Sequence, residues 1–182
     1  MDDFVKHNLR FLQDKLKPIK LVLDAGNGMC GYTFPKIFAK VREKNKGIKM
    51  VELYTELDFS FPHHEANPLN FSTLTDLRKK VVSEKADFGI ATDGDGDRCI
   101  FVDETGGIIP ADIMTALLSI QILRDNPRSK VMYDVRCSKI VKETIEKNNG
   151  TPVLSRARVC TIQEVSIGCW SKYERWQFFT YQ

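Results

Sequence analysis

Six consecutive residues, Asp93-Gly94-Asp95-Gly96-Asp97-Arg98, carry the densest chemistry in this sequence. Carboxylates at alternate positions, separated by glycines that relax the backbone, can turn inward around one hard cation. Without a counter-charge the three would repel one another, so the pattern asks for an ion or a very exposed, solvated loop. An EF-hand makes the same demand, and Asp93, Asp95, Asp97, Ile100 and Glu104 fall at its loop positions one, three, five, eight and twelve. It fails at position six, which requires Gly and here is Arg98, and the flanking segments read as strands rather than helices.

Two other groups invite a chemical reading. Gly26-Asn27-Gly28-Met29-Cys30-Gly31 satisfies the GxGxxG pattern of a dinucleotide site, with Glu52 near the place of a ribose-binding acid. The favoured reading is structural: these glycines permit a tight strand-to-helix turn and close packing of the helix. His63-His64, followed by Glu65 and Asn67, suggests a metal or acid-base pair, but adjacent side chains usually point apart, and loop capping is the simpler role.

The elements around these residues read as α/β. Phe4, Leu9, Leu12 and Leu16 mark one face of a helix ending before Pro18, and IKLVLDAGNG is a buried strand running into the glycine turn. A helix over about 32–42 and the strand GIKMVELY complete a parallel βαβ unit. An irregular loop over 58–72 leads to a helix near 72–84, then to the strand ADFGIAT, which delivers the acidic loop at its C-terminal end. CIFVDETGGII is a short hairpin turning at Thr105-Gly106-Gly107. Beyond Pro110 a helix over about 111–123, the strand KVMYDV, a helix near 139–148 and the strand TPVLS form a second series. The expected fold is a mixed or mostly parallel sheet of βαβ units flanked by helices. Residues 1–108 make one complete domain and 109–182 a partial second of similar type.

Composition narrows the class. With 42% hydrophobic and 28% charged residues in 182, the chain can bury a core and is not disordered as a whole. A net charge of +3, dispersed among acids, gives no footprint for nucleic acid or an anionic membrane. Five cysteines, odd in number and without a CxxC pair, indicate neither a disulfide framework nor a zinc site, so a reducing, cytoplasmic setting is expected. The N-terminus lacks an apolar signal core, and neither export nor membrane anchoring is expected.

Taken in order, DAGNGMCG, FPHHEANPLN and ADFGIATDGDGDRCIFVDETG resemble the second domain of the α-D-phosphohexomutases, the phosphoglucomutase and phosphomannomutase superfamily. KVMYDVRCSKIVKETIEKNNGTPVLSR resembles the opening of that family's third domain, so the resemblance covers about residues 18–156. The family moves a phosphoryl group between the 1 and 6 positions of a hexose phosphate through an enzyme phosphoserine and a sugar bisphosphate. The resemblance implies that Asp93, Asp95 and Asp97 hold Mg2+. It places Arg98 beside the transferring phosphoryl and Arg136 where the family reaches the sugar phosphate.

No segment like the family's TASHNP serine motif, or its later GEXSGH sugar loop, occurs in these 182 residues. A fragment inactive by itself is therefore expected, self-associating through faces left without partners. Its rivals are a non-enzymatic metal- or partner-binding module and a dinucleotide-binding fragment. From about residue 157 the sequence departs from the family pattern, with Arg158 and Val159 in place of a Gly-His pair, and the aromatic tail is expected to lack family-like structure.

Overall fold

The computed structural model describes residues 1–12 and 16–155. They divide into two compact units, meeting in sequence between Ile109 and Pro110.

The first unit is built on a five-stranded sheet of order β2-β1-β3-β4-β5. Strand β1 (Ile19–Asp24) lies between β2 (Ile48–Leu53) and β3 (Phe88–Thr92) and runs parallel to both, with Ile19 opposite Ile48 and Leu21 opposite Phe88. Crossover helices cover the faces of a central parallel strand, which is why Leu21, Val22, Leu23 and Asp24 are all buried instead of alternating. Strands β4 (Cys99–Asp103) and β5 (Ile108–Ile109) continue the sheet antiparallel, making it mixed. The acidic hexapeptide thus connects two antiparallel neighbours, with Thr92 paired to Cys99. At the next turn the Asp103 carboxylate accepts hydrogen bonds from Thr105 and Gly107 amides, and Arg78 Nε donates to the Gly106 carbonyl at 2.6 Å.

Helix α1 (Asp2–Asn8) passes into a 3-10 turn at Leu9–Phe11 and is shorter than its apolar spacing predicts. Only Val5 of the helix is buried, too little packing to extend a short helix, and the Leu16 amide is drawn instead to Asn45 Oδ1 at 3.1 Å. Helix α2 (Met29–Lys44) begins three residues earlier than the sequence suggests, because its first amide, Met29 N–H, finds an acceptor in the Gly94 carbonyl at 2.9 Å. Helix α3 (Thr75–Glu84) follows a 3-10 turn at Phe71–Leu74 and buries Leu77 and Val81 on the sheet. It stops at Lys85, whose left-handed backbone (φ 50°) lets the next amides return to the Val81 and Val82 carbonyls.

The second unit holds α4 (Ala111–Asp125), β6 (Lys130–Asp134), α5 (Lys139–Lys147) and β7 (Thr151–Ser155). Strands β6 and β7 are parallel, joined through α5. The spacing Val141 to Ile145 puts both on one face of α5, and they are fully buried with Ala116, Leu123 and Val131 against Tyr133 and Cys137. The aromatic tail, with Cys160 and Cys169, lies outside the described residues.

Candidate metal centre

Parallel β1, β2 and β3 end on the same edge of the sheet, and the chain leaves that edge at Asp24, Leu53 and Thr92. Crevices outside the carboxyl ends of strands are where open α/β sheets bind ligands. Here three segments converge: the glycine turn after β1, the loop over 54–70 after β2, and the acidic loop after β3.

The acidic loop is closed by the Asp93 amide donating to the Arg98 carbonyl at 3.2 Å. Asp93 is buried, and its Oδ1 accepts the backbone amides of Gly96 at 2.9 Å and Arg98 at 3.1 Å, while Arg98 Nε donates to Oδ2 at 2.6 Å. Gly96 has φ 82°, and a Cβ there would stand 2.6 Å from Cys30 Sγ, so position and backbone both require glycine. Asp95 and Asp97 are exposed at the loop's mouth, and one carboxylate oxygen from each of Asp93, Asp95 and Asp97 lies within 4.8 Å of the others. Arg98 also approaches Asp97 Oδ1 at 3.5 Å.

The electrostatics are those of crowded acids. Burial pushes the Asp93 carboxyl up, but the bonds it accepts from the Arg98 amide and guanidinium and from Asp97 outweigh burial and hold it below the usual carboxylate range. Asp97 is raised, first by its hydrogen bond with Asp93, then by desolvation and by the charges of Asp93 and Asp95. The two carboxyls are pushed in opposite directions, the behaviour of acids sharing too little positive charge. Arg98 supplies part of that charge, and its own pKa is raised, chiefly by Asp93. A donor set made only of carboxylate oxygens, one buried and two open to solvent, fits a hard divalent cation with room for water ligands. The strands on either side of the loop exclude the helix-loop-helix of an EF-hand.

The glycine turn has a packing reason for its composition. A Cβ on Gly28 would lie 2.7 Å from the Gly94 carbonyl oxygen and 2.8 Å from its Cα, and one on Gly31 would collide with the Thr55 carbonyl. These glycines let α2 sit directly against the acidic loop. Glu52 accepts from the Thr55 hydroxyl at 3.0 Å.

The histidine pair does more than cap a loop. His63 Nδ1 meets Asn27 Oδ1 at 2.8 Å and its ring stacks on Tyr54 at 4.0 Å between centroids. His64 Nε2 lies 3.2 Å from both oxygens of the buried Asp24, its Nδ1 lies 2.8 Å from the Glu65 carbonyl, and Tyr54 packs edge-on against its ring. Asp24, Tyr54 and Asp76, whose carboxylate accepts from the Tyr54 hydroxyl at 2.9 Å, escape a reading of the sequence because they come from three separate segments. The one local signal is an acid at the end of a buried strand, directly before a glycine turn.

Arg136 belongs to the second unit, after β6. Its Nε and Nη2 donate to Asp134 at 2.9 and 3.0 Å, and its amide donates to the same carboxylate at 2.8 Å. At the start of α5 the Ser138 amide donates to Asp112 at 3.3 Å, joining α4 to this segment.

A family model described as phosphoglucomutase/phosphomannomutase, alpha/beta/alpha domain II, matches residues 1–107, so the likeness begins well before Pro18. A phosphomannomutase/phosphoglucomutase of Pseudomonas aeruginosa is 37% identical over 138 residues, 76% of this chain and 29% of that protein. The phosphomannomutase of Escherichia coli is 34% identical over 164 residues, 90% of this chain and 36% of its own length. A match of that length cannot end at Arg156, so sequence likeness reaches into the tail. A crystal structure of a phosphoglucomutase/phosphomannomutase family protein from Burkholderia thailandensis superposes with a TM-score of 0.83 at 30% identity, covering 92% of this chain and 35% of that one. The chain thus spans about a third of the length of the relatives it matches. Among the described residues no helix is long and apolar enough to cross a membrane. A domain model matched over more than half of the sequence, on a fold shared with a solved member, places this chain in the phosphoglucomutase/phosphomannomutase family of α-D-phosphohexomutases.

Proposed function

We propose that this chain is the metal-loop portion of a phosphohexomutase, holding Mg2+ on Asp93, Asp95 and Asp97 for phosphoryl transfer between the 1 and 6 positions of a hexose phosphate. The observation that carries the reading is the convergence of three carboxylate oxygens at the end of a parallel strand, beside Arg98, in a chain of this family. When bound, the cation would offset charge on the transferring phosphoryl oxygens. Asp93 contributes a buried ligand, its carboxyl held below the usual range, that also fixes the acidic loop. Its bond to Nε orients the Arg98 guanidinium, whose Nη groups are suited to bidentate contact with phosphoryl oxygens. Arg136, oriented by Asp134, is proposed as a phosphate contact from the second unit. The carboxylates act as ligands and not as general bases.

Titration with Mn2+ as a paramagnetic stand-in for Mg2+ tests the reading. Asp95→Ala is expected to weaken binding about tenfold or more, since affinity at such sites follows the number of charged ligands. The stability of the fold should not change, because Asp95 is exposed. Equal Mn2+ affinity in both proteins would refute the metal assignment. With no serine motif in these 182 residues, glucose 1-phosphate, a bisphosphate activator and Mg2+ are expected to give no turnover on the isolated chain.

Leu57, Phe59 and Phe71 of the first unit are exposed, Phe59 by 67%. Such side chains favour association, so the weight-average mass in sedimentation equilibrium is expected to rise with concentration. A monomeric mass throughout would contradict this.

A further inference from the structure

We infer that His64, held as an imidazolium between the Asp24 carboxylate and the Glu65 carbonyl, is a positioning residue for the acidic loop. The inference rests on the metal-loop reading only for its functional meaning; the geometry stands apart from it.

Both ring nitrogens of His64 face groups that accept. Nδ1 lies 2.8 Å from the Glu65 carbonyl oxygen, which has no hydrogen to give, and Nε2 lies 3.2 Å from each Asp24 oxygen. A neutral imidazole carries one N–H and would leave a lone pair against an oxygen, so the arrangement calls for both protons. Asp24 is wholly buried at the end of β1, and an ionised carboxylate there needs a partner. His64, 14% exposed, is the cation that reaches it.

From this pair a short chain of contacts leads to the proposed ligands. Asp24 Oδ1 accepts the Gly26 amide at 3.0 Å, fixing the left-handed turn (φ 50°), and a Cβ on Gly26 would lie 3.2 Å from His64 Cε1, so the ring covers that turn. Two residues on, Gly28 leaves space that Gly94 occupies, and after it Met29 N–H donates to the Gly94 carbonyl. The segment that carries His64 reaches the same glycine from its other side: a Cβ on Gly94 would meet Phe61 Cζ at 3.3 Å and Ala66 Cβ at 3.8 Å. Gly94 is therefore held between the β1 turn and the 54–70 loop, and the His64–Asp24 pair ties those two together.

The charged and polar groups facing His64 are Asp24 from β1, the Tyr54 ring after β2, Asp76 from α3, and the Glu65 carbonyl of its own loop. The hydrogen bond with Asp24 is the main reason its pKa rises, against an opposing effect of burial, with the Glu65 carbonyl and the charges of Asp24 and Asp76 adding to the rise. A raised histidine stabilises below its unfolded pKa, and that contribution is lost as pH rises through the folded value. The anchor is thus present below the ordinary histidine pKa and released as pH climbs through the raised one.

Amide hydrogen exchange on the full 182-residue chain, comparing wild type with His64→Gln, measures the positioning directly. Protection of the Gly96 and Arg98 amides is expected to fall about tenfold in the variant, while the amides of Val22 and Leu23 keep theirs. In wild type the same loop protection should fall as pH is raised above the ordinary histidine range, after correction for intrinsic exchange. If the variant fails to fold, this wild-type comparison decides alone.

Mn2+ titration adds a test of sign. Removing a nearby positive charge would by itself tighten cation binding. Loss of positioning weakens it, and weaker Mn2+ binding by His64→Gln is the expected result. Loop protection that ignores both the substitution and pH, or tighter Mn2+ binding in the variant, would overturn the inference. Wild type that binds no Mn2+ yet loses loop protection on substitution would sink the metal reading and leave the positioning role of His64 supported.

Discussion

Gly28→Ala is expected to cost the chain most of its divalent-cation affinity although it alters no carboxylate. The backbone at Gly28 (φ −91°, ψ −173°) is open to any residue, so the glycine is not required by conformation. It is required by what stands next to it. The added methyl would lie 2.7 Å from the Gly94 carbonyl oxygen, 2.8 Å from Gly94 Cα and 3.1 Å from the Asp93 carbonyl oxygen, all of them backbone atoms that no rotamer change can move. Either α2 or the acidic loop must shift, at a cost of about 1–3 kcal/mol for overpacking of this kind. The loop is the weaker partner, since α2 continues for 16 residues and the loop is anchored mainly by Asp93 and by the Met29-to-Gly94 bond. A displacement of even a fraction of an ångström there separates Asp93 from the two exposed ligands, and Mn2+ affinity should fall by at least about tenfold, with a lower urea midpoint. Asp95→Ala provides the contrast, losing affinity with the midpoint unchanged. Wild-type affinity and stability in Gly28→Ala would mean that the turn and the metal loop are mechanically independent.

The same contact shows how far the sequence can be read. Asp93, Asp95, Asp97 and Arg98 are consecutive or nearly so, and charge repulsion among acids only two residues apart is a local fact that needs no fold. Strand β1 is legible because a continuous apolar run is what a doubly covered parallel strand requires. The start of α2 is not legible, because its first amide is satisfied by Gly94, more than sixty residues away in sequence. The same holds for Asp24 and His64, forty residues apart and meeting only when β1 and the loop after β2 are brought to one edge. The GxGxxG match is the converse case, a correct reading of a strand-turn-helix whose glycines make room for the acidic loop and Thr55. Local chemistry survives in the sequence, whereas the partners that fix it are supplied by the fold.

Asp93→Asn and Asp97→Asn are expected to act in opposite directions on the metal-free protein, though both remove a ligand. Asp93 accepts two backbone amides and the Arg98 guanidinium while almost wholly excluded from water. An asparagine oxygen can still take the amides, but its NH2 then faces Arg98 Nε, two donors pointed at each other in a buried place. Loss of a buried partner costs about 3–5 kcal/mol, and because Arg98 is about one-third exposed and can turn to water, about 2 kcal/mol is expected here. The carboxyl of Asp93 is held low, so its stabilisation is present above the unfolded pKa and is lost as pH falls through the folded value. The gap between wild type and Asp93→Asn should accordingly be full at neutral pH and close in strong acid. Asp97 is raised by Asp93 and Asp95, so as a carboxylate at neutral pH it opposes folding. Asp97→Asn should therefore leave the urea midpoint unchanged or slightly higher, while Mn2+ binding weakens. A cation reverses this ordering of costs, because the repulsion that Asp97 imposes on the empty loop becomes attraction once the charge it faces is positive. Urea midpoints taken with and without saturating Mn2+ read this directly: added metal should raise the wild-type midpoint and move neither variant as far. Equal metal-induced shifts in all three proteins would place the cation away from these carboxylates.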